Sequence, residues 1–204
     1  MSVTIAATPK KRKKPGVPAY LIHETLNGRP LYRRGYRDVL SDKKKPAEIM
    51  GSSSLQAALV AALVMFMGRT INRKRYLVVT NESGVHLDTG NNLSNDIAIF
   101  DKSLDLRLTN KYFTTPPKIA IEVDVNIEPE EFEGKESGYV HEKTERLLDF
   151  GVERVIWITT QPRKIFTATR TAPWTTQNWD ADIPVLDDIV LNLAGLLTEE
   201  GIDF

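Results

Sequence analysis

The chain of 204 residues contains no cysteine. Disulfides and thiolate metal sites are therefore excluded, which is compatible with a cytoplasmic protein, the location expected here. Histidine is scarce. His23, His86 and His141 are scattered without metal-ligand spacing, so surface or structural roles are expected for them. Long apolar runs are also missing. The longest, residues 57–67, has 11 residues, short of the roughly 18 needed to cross a bilayer, and reads as a buried helix. No apolar stretch with a cleavage site opens the chain, which argues against a secretory signal. There is no phosphate-binding loop and no dinucleotide-binding glycine fingerprint. The GSSS run at 51–54 lacks the G-x-S-x-G pattern of a nucleophile elbow.

Net charge is absent too, with 27 basic and 27 acidic residues. The balance hides segregation. Residues 10–14 are KKRKK, and without those five cations 22 basic residues face 27 acidic ones. Residues 29–75 carry 11 Lys or Arg against 3 Asp or Glu, whereas residues 122–149 carry 10 acids against 3 bases. One region could attract a polyanion and the other a metal cation; solvated charged faces are the plainer alternative.

Residues 1–17 form a polar, basic arm expected to be flexible, ahead of one domain over 18–204. LIHETLNGRPLYRRGY predicts a β-hairpin turning at Asn27-Gly28. The stretch from Gly51 to Ile71 predicts a long helix, with Ser53 and Gln56 spaced as a capping box. Four short β-like runs follow, RYLVVT, GVHLD, DIAIF and KIAIEVDV, the first three separated by expected turns in NESG and TGNNLSN. ESGYVHEKTERLLDF predicts a second helix ending at Gly151. ERVIWITT and KIFTAT read as two further strands, with Trp157 in the core. Residues 171–186 read as mostly irregular, with Trp174 and Trp179 packed locally, and the end holds a short helix. This order describes an α/β fold, bordering on α+β, with a central mixed sheet flanked by helices.

The acids of IAIEVDV (119–125) raise the question of chemistry. Strand alternation puts Ile119, Ile121, Val123 and Val125 on one face and Ala120, Glu122, Asp124 and Asn126 on the other. Two carboxylates at that spacing sit roughly 7 Å apart at the backbone and can converge on one hard cation. They can equally be the wet face of an edge strand. Upstream, Asp96 opens the DIAIF strand. Downstream, Tyr139, Lys143, Leu147 and Phe150 share one helical face. Lys143 either points inward there or snorkels at the stripe's edge.

Asp, then Glu on a strand, then Lys on the next helix resembles the PD-(D/E)XK nuclease superfamily, and more closely its Uma-two branch of restriction-endonuclease-like proteins. The matching pieces are NDIAIF (95–100), EVDV (122–125), Lys143 and GVERVIW (151–157), together with the MGSSSLQ helix start; the likeness spans roughly residues 20–170. The chain departs from the pattern in several places. Asn95 replaces the usual Pro, and the strand ends in Val125 rather than Ser. Asp124 stands where the superfamily has a Lys, Leu147 replaces an aromatic, and Trp157 lies one residue farther from Gly-Val.

The resemblance implies a restriction-endonuclease-like fold and a metal-dependent endonuclease that hydrolyses DNA. Asp96 and Glu122 would hold Mg²⁺ or Mn²⁺, with the Val123 carbonyl as a further ligand. Lys143 would orient or deprotonate the attacking water. Asp124 would add a ligand or pair with Lys143. A homodimer is expected, since two strands call for two active sites; DNA is the expected partner and a membrane is not. The alternatives are a nuclease-like domain that has lost catalysis and binds nucleic acid or regulates, and a plain interaction domain with an acidic face.

Overall fold

A computed structural model describes residues 16–130 and 132–204. The KKRKK arm lies outside the described residues. Among the described residues a 3₁₀ turn (Ala19–Leu21) leads into a hairpin, β1 (Ile22–Leu26) and β2 (Arg29–Tyr32). Asn27 and Gly28 both take positive φ, 52° and 74°, as a two-residue hairpin turn requires. A short helix α1 (Tyr36–Leu40) leads through a 3₁₀ turn (Pro46–Ile49) to α2 (Ser54–Thr70). Ser53 caps α2 by accepting the Gln56 N–H at 3.1 Å. Only half of the expected capping box forms, because the Gln56 side chain turns away to the Val123 carbonyl.

The first two β-like runs are one strand. β3 (Tyr76–Asp88) runs through the NESG segment, which is a bulge between Thr80 and Ser83 instead of a turn. Asn81 and Glu82 take φ of 70° and 52° there, inserting extra backbone without ending the pairing. β4 (Asn91–Asp101) and β5 (Ile119–Val123) follow, then α3 (Glu136–Phe150), whose C-terminus is capped by Gly151 at φ 117°. β6 (Arg154–Thr159) and β7 (Lys164–Thr169) are as expected. Residues 171–186 are more ordered than their composition suggests: they contribute β8 (Thr175–Asn178) and β9 (Ile183–Leu186), with β9 pairing β10 (Ile189–Leu191) ahead of the terminal helix α4 (Leu193–Glu199). Backbone pairing drives this, since isolated polar residues such as TTQN carry little pattern of their own.

The main sheet runs β2-β1-β4-β5-β6-β7-β8, with β3 on the other edge of β4. It is mixed: β5 and β6 are parallel through the α3 crossover, and their other neighbours are antiparallel. Each face has its own core. α2, α4 and the β9-β10 hairpin cover Ile97, Ile99, Ile121 and Ile156; α3 covers Ala98, Ala120, Val155 and Trp157. Among the described residues, no helix is long and apolar enough to cross a membrane.

Candidate active site at a fork in the sheet

One edge of β4 pairs with β3. Its other edge changes partner, from β1 at Asn92 to β5 at Ile97. Residues 94–96 face the gap between those two strands. Buried backbone groups must still be paired, and side chains take over from the missing ladder. The Ser94 N–H donates to Glu24 Oε2 at 3.1 Å, and the Ser94 carbonyl accepts from Lys143 Nζ at 2.8 Å. The Val123 N–H, at the end of β5, donates to Asp96 Oδ2 at 2.7 Å. The fork thus gathers charged side chains because the backbone there needs them.

β5 is buried on both faces, so its acid is no wet edge residue. Glu122 is 5% exposed and Lys143 2% exposed. Lys143 points inward from α3, and the snorkelling alternative fails. Its Nζ lies 3.1 Å from Glu122 Oε1 and 3.3 Å from Glu24 Oε2, over the Tyr139 and Trp157 rings. The Tyr139 hydroxyl donates to the other Glu24 oxygen. Glu24 itself is 4% exposed.

The electrostatics separate these acids. Burial pushes Glu122 well above the usual carboxylate range; Lys143 opposes this, while Asp96 and Glu24 reinforce it. Burial also dominates at Asp96 and raises it, against the Val123 N–H and Lys143. Burial works the same way at Glu24, but Lys143, His23, Tyr139 and Ser94 outweigh it and hold Glu24 below the usual range. For Lys143 burial favours the neutral amine, and Glu122 and Glu24 more than offset that, so it stays an ammonium.

Asp124 lies elsewhere. β5 ends at Val123, and Asp124 turns the chain at φ 59°. Its two oxygens accept the Thr160 N–H at 2.7 Å and the Thr160 hydroxyl at 2.8 Å. It makes no ion pair with Lys143, whose carboxylate neighbours are Glu122 and Glu24. The turn also undoes the expected alternation, and Val125 packs in the α3-side core. Asn95 is fully buried, with neither amide atom hydrogen-bonded.

A divalent cation has a chemically suitable donor set here. Glu122 Oε1 is buried without an aligned hydrogen-bond donor. Asp96 keeps one oxygen beyond the one on Val123. The Val123 carbonyl takes Gln56 Nε2 at 2.9 Å and retains a second lone pair. Among the described residues no three His, Cys, Asp or Glu side chains form a metal-holding group. Two carboxylates, a carbonyl and water suit a hard ion of the Mg²⁺ type, which takes only one or two protein carboxylates. A groove of about 680 Å³ beside α2 is lined by Asp96, Gln56, Glu82 and Met65. It adjoins a smaller cavity of about 240 Å³ bearing Arg33, Arg34 and Lys44, the two sharing Met50, Gly51, Ser52 and Glu82.

The sequence singles out Asp96, Glu122 and Lys143, which the fold brings to the fork, and gives less notice of Glu24 and Gln56, which also lie there. Glu24 had one visible sign. It shares the inward face of β1 with Leu26, an odd place for a lone acid. The spacing of Gln56 from Ser53 suggests only a cap, whereas the fold carries its side chain to the Val123 carbonyl.

No known family profile matches the chain, and no curated protein does. Among solved structures, it is similar to the crystal structure of a candidate nuclease of the family DUF820 from Anabaena variabilis ATCC 29413. The likeness has a TM-score of 0.63 and 15% sequence identity, covering 86% of this chain and 89% of that one. At that identity the fold is what is shared: a large mixed sheet flanked by helices.

Proposed function

We propose that the protein is a divalent-cation-dependent nuclease acting on DNA. The observation that carries this reading is the buried meeting of Lys143 with Glu122, beside Asp96, at the fork of the sheet. The shared fold with a candidate nuclease supports it. Asp96, Glu122 and the Val123 carbonyl would hold Mg²⁺ or Mn²⁺. When bound, such an ion polarises the phosphate and acidifies a water. Lys143, kept charged by its carboxylate neighbours, orients that water and offsets charge growing on the phosphate. Asp124 is assigned to neither task, because both its oxygens are bound to Thr160. Arg33, Arg34 and Lys44 lie next to the groove and would contact phosphates by giving up their present ion pairs with Glu82, Glu136 and Asp38.

The test is plasmid cleavage with Mg²⁺ or Mn²⁺, run beside Asp96→Asn, Glu122→Gln and Lys143→Ala. Wild type should cut at least about a hundredfold faster than each, as expected when a charge-stabilising group is removed. Equal rates would reject the proposal. A gel shift that weakens with salt, without any cleavage, would instead favour a nucleic-acid-binding module on the same fold.

A further inference from the structure

Two carboxylates face Lys143, and they are held differently. Glu24 is saturated: one oxygen takes the Tyr139 hydroxyl, and the other takes the Ser94 N–H and lies 3.3 Å from Lys143 Nζ. Glu122 Oε1 has only Lys143, at 3.1 Å and without hydrogen-bond alignment. One acid, on β1, is locked in place by β4 and helix α3, and the other is free to take a different partner. Glu24 also comes from a part of the chain, the N-terminal hairpin, that contributes nothing else to the Asp96–Glu122–Lys143 set.

We infer that Glu24 is the positioning residue of Lys143, holding its ammonium from the side away from the reaction while Glu122 is engaged elsewhere. The inference rests on the nuclease reading and deepens it. With Glu122 withdrawn, Lys143 keeps Glu24 and the Ser94 carbonyl and gains one N–H to offer water or phosphate. The role requires a carboxylate. Glu24 meets three donors and presents none. At Glu24→Gln the amide oxygen can still face Ser94 and Lys143 while its NH₂ donates to the Tyr139 hydroxyl, so what the variant removes is the negative charge that holds the ammonium. Tyr139 takes part too, since its hydroxyl engages one oxygen of Glu24 and leaves the other to face Lys143.

The test starts from ¹⁵N spectra of lysine ammonium groups in the metal-free full chain. Wild type should show one slowly exchanging signal, assigned by its loss in Lys143→Arg. Glu24→Gln should broaden or abolish it, and Tyr139→Phe should shift it. In plasmid cleavage with Mn²⁺, Glu24→Gln should lower kcat by roughly 10- to 100-fold, as outer-shell partners of a site commonly do, with KM within about threefold. Calorimetric Mn²⁺ affinity should be unchanged. An unchanged lysine signal overturns the inference, and so does a kcat within about twofold of wild type. Lost Mn²⁺ affinity overturns it too, by making Glu24 a ligand. If Glu24→Gln does not fold, Tyr139→Phe decides through the same readouts, with a smaller effect in the same direction. A wild type that cuts nothing removes the nuclease reading, and the spectra alone then decide the role of Glu24.

Discussion

Replacing Glu122 by Gln should make the metal-free protein more stable. Three carboxylates, Glu24, Asp96 and Glu122, lie about one ammonium, Lys143. Glu24 is satisfied by hydrogen bonds, and Asp96 holds the Val123 N–H. Glu122 has a single cationic neighbour, two like-charged ones and no aligned donor on Oε1, so it is the group that gains most from neutrality. Its carboxyl is raised when folded. A raised acid adds its full stability below the unfolded value and loses it as pH climbs through the folded one. Gln has no charge to bury at any pH. Replacing an unfavourable buried charge typically gives about 2 kcal/mol, or roughly 4–8 °C in Tm for a chain of this size. The assay is calorimetric or fluorescence melting in chelator, from acid to mildly alkaline buffer. The two proteins should melt together below about pH 4.5, the ordinary range of a free carboxyl, and diverge above it with Glu122→Gln higher. A variant that melts lower at neutral pH, or a gap independent of pH, would refute the reasoning.

Removing the cation instead should be costly. Lys143→Met leaves Glu24 and Glu122 buried without their shared partner, and a loss of about 3–5 kcal/mol is expected by urea denaturation at neutral pH. That deficit should shrink in acid as the orphaned carboxyls take up protons. Asp124→Ala breaks two hydrogen bonds to Thr160 and puts alanine at positive φ. It should lose about 2–3 kcal/mol in the same assay while leaving calorimetric Mn²⁺ affinity intact; an affinity loss without destabilisation would instead make Asp124 a ligand.

Much of the architecture was readable because it depends on local pattern. Asn27-Gly28 dictates the hairpin turn and Gly151 the end of α3, each through a positive φ that few residues accept, and Ser53 starts α2 by accepting the Gln56 N–H. The helical face shared with Tyr139 and Leu147 raised an inward Lys143 without deciding it against snorkelling, and only the burial of all three residues decides it. Asp96, Glu122 and Lys143 stood out through spacing and through resemblance to a nuclease pattern. Local pattern failed where backbone geometry broke it. NESG looked like a turn and is a bulge, and Asp124 looked like a strand residue and is where the strand stops.

Sequence order alone therefore gave most of the elements and the mixed α/β class, and pointed to three of the charged residues at the fork. Tertiary structure decided how those residues are held. Glu24 lies 119 positions before Lys143 in the chain, and no periodicity relates them; they meet because β4 trades one neighbour for another at Ser94. The division of labour among the acids follows from that fork. Each carboxylate is fixed or left open according to which backbone N–H the split sheet leaves unpaired, and hydrogen-bond demand of that kind arises only once the strands are in register.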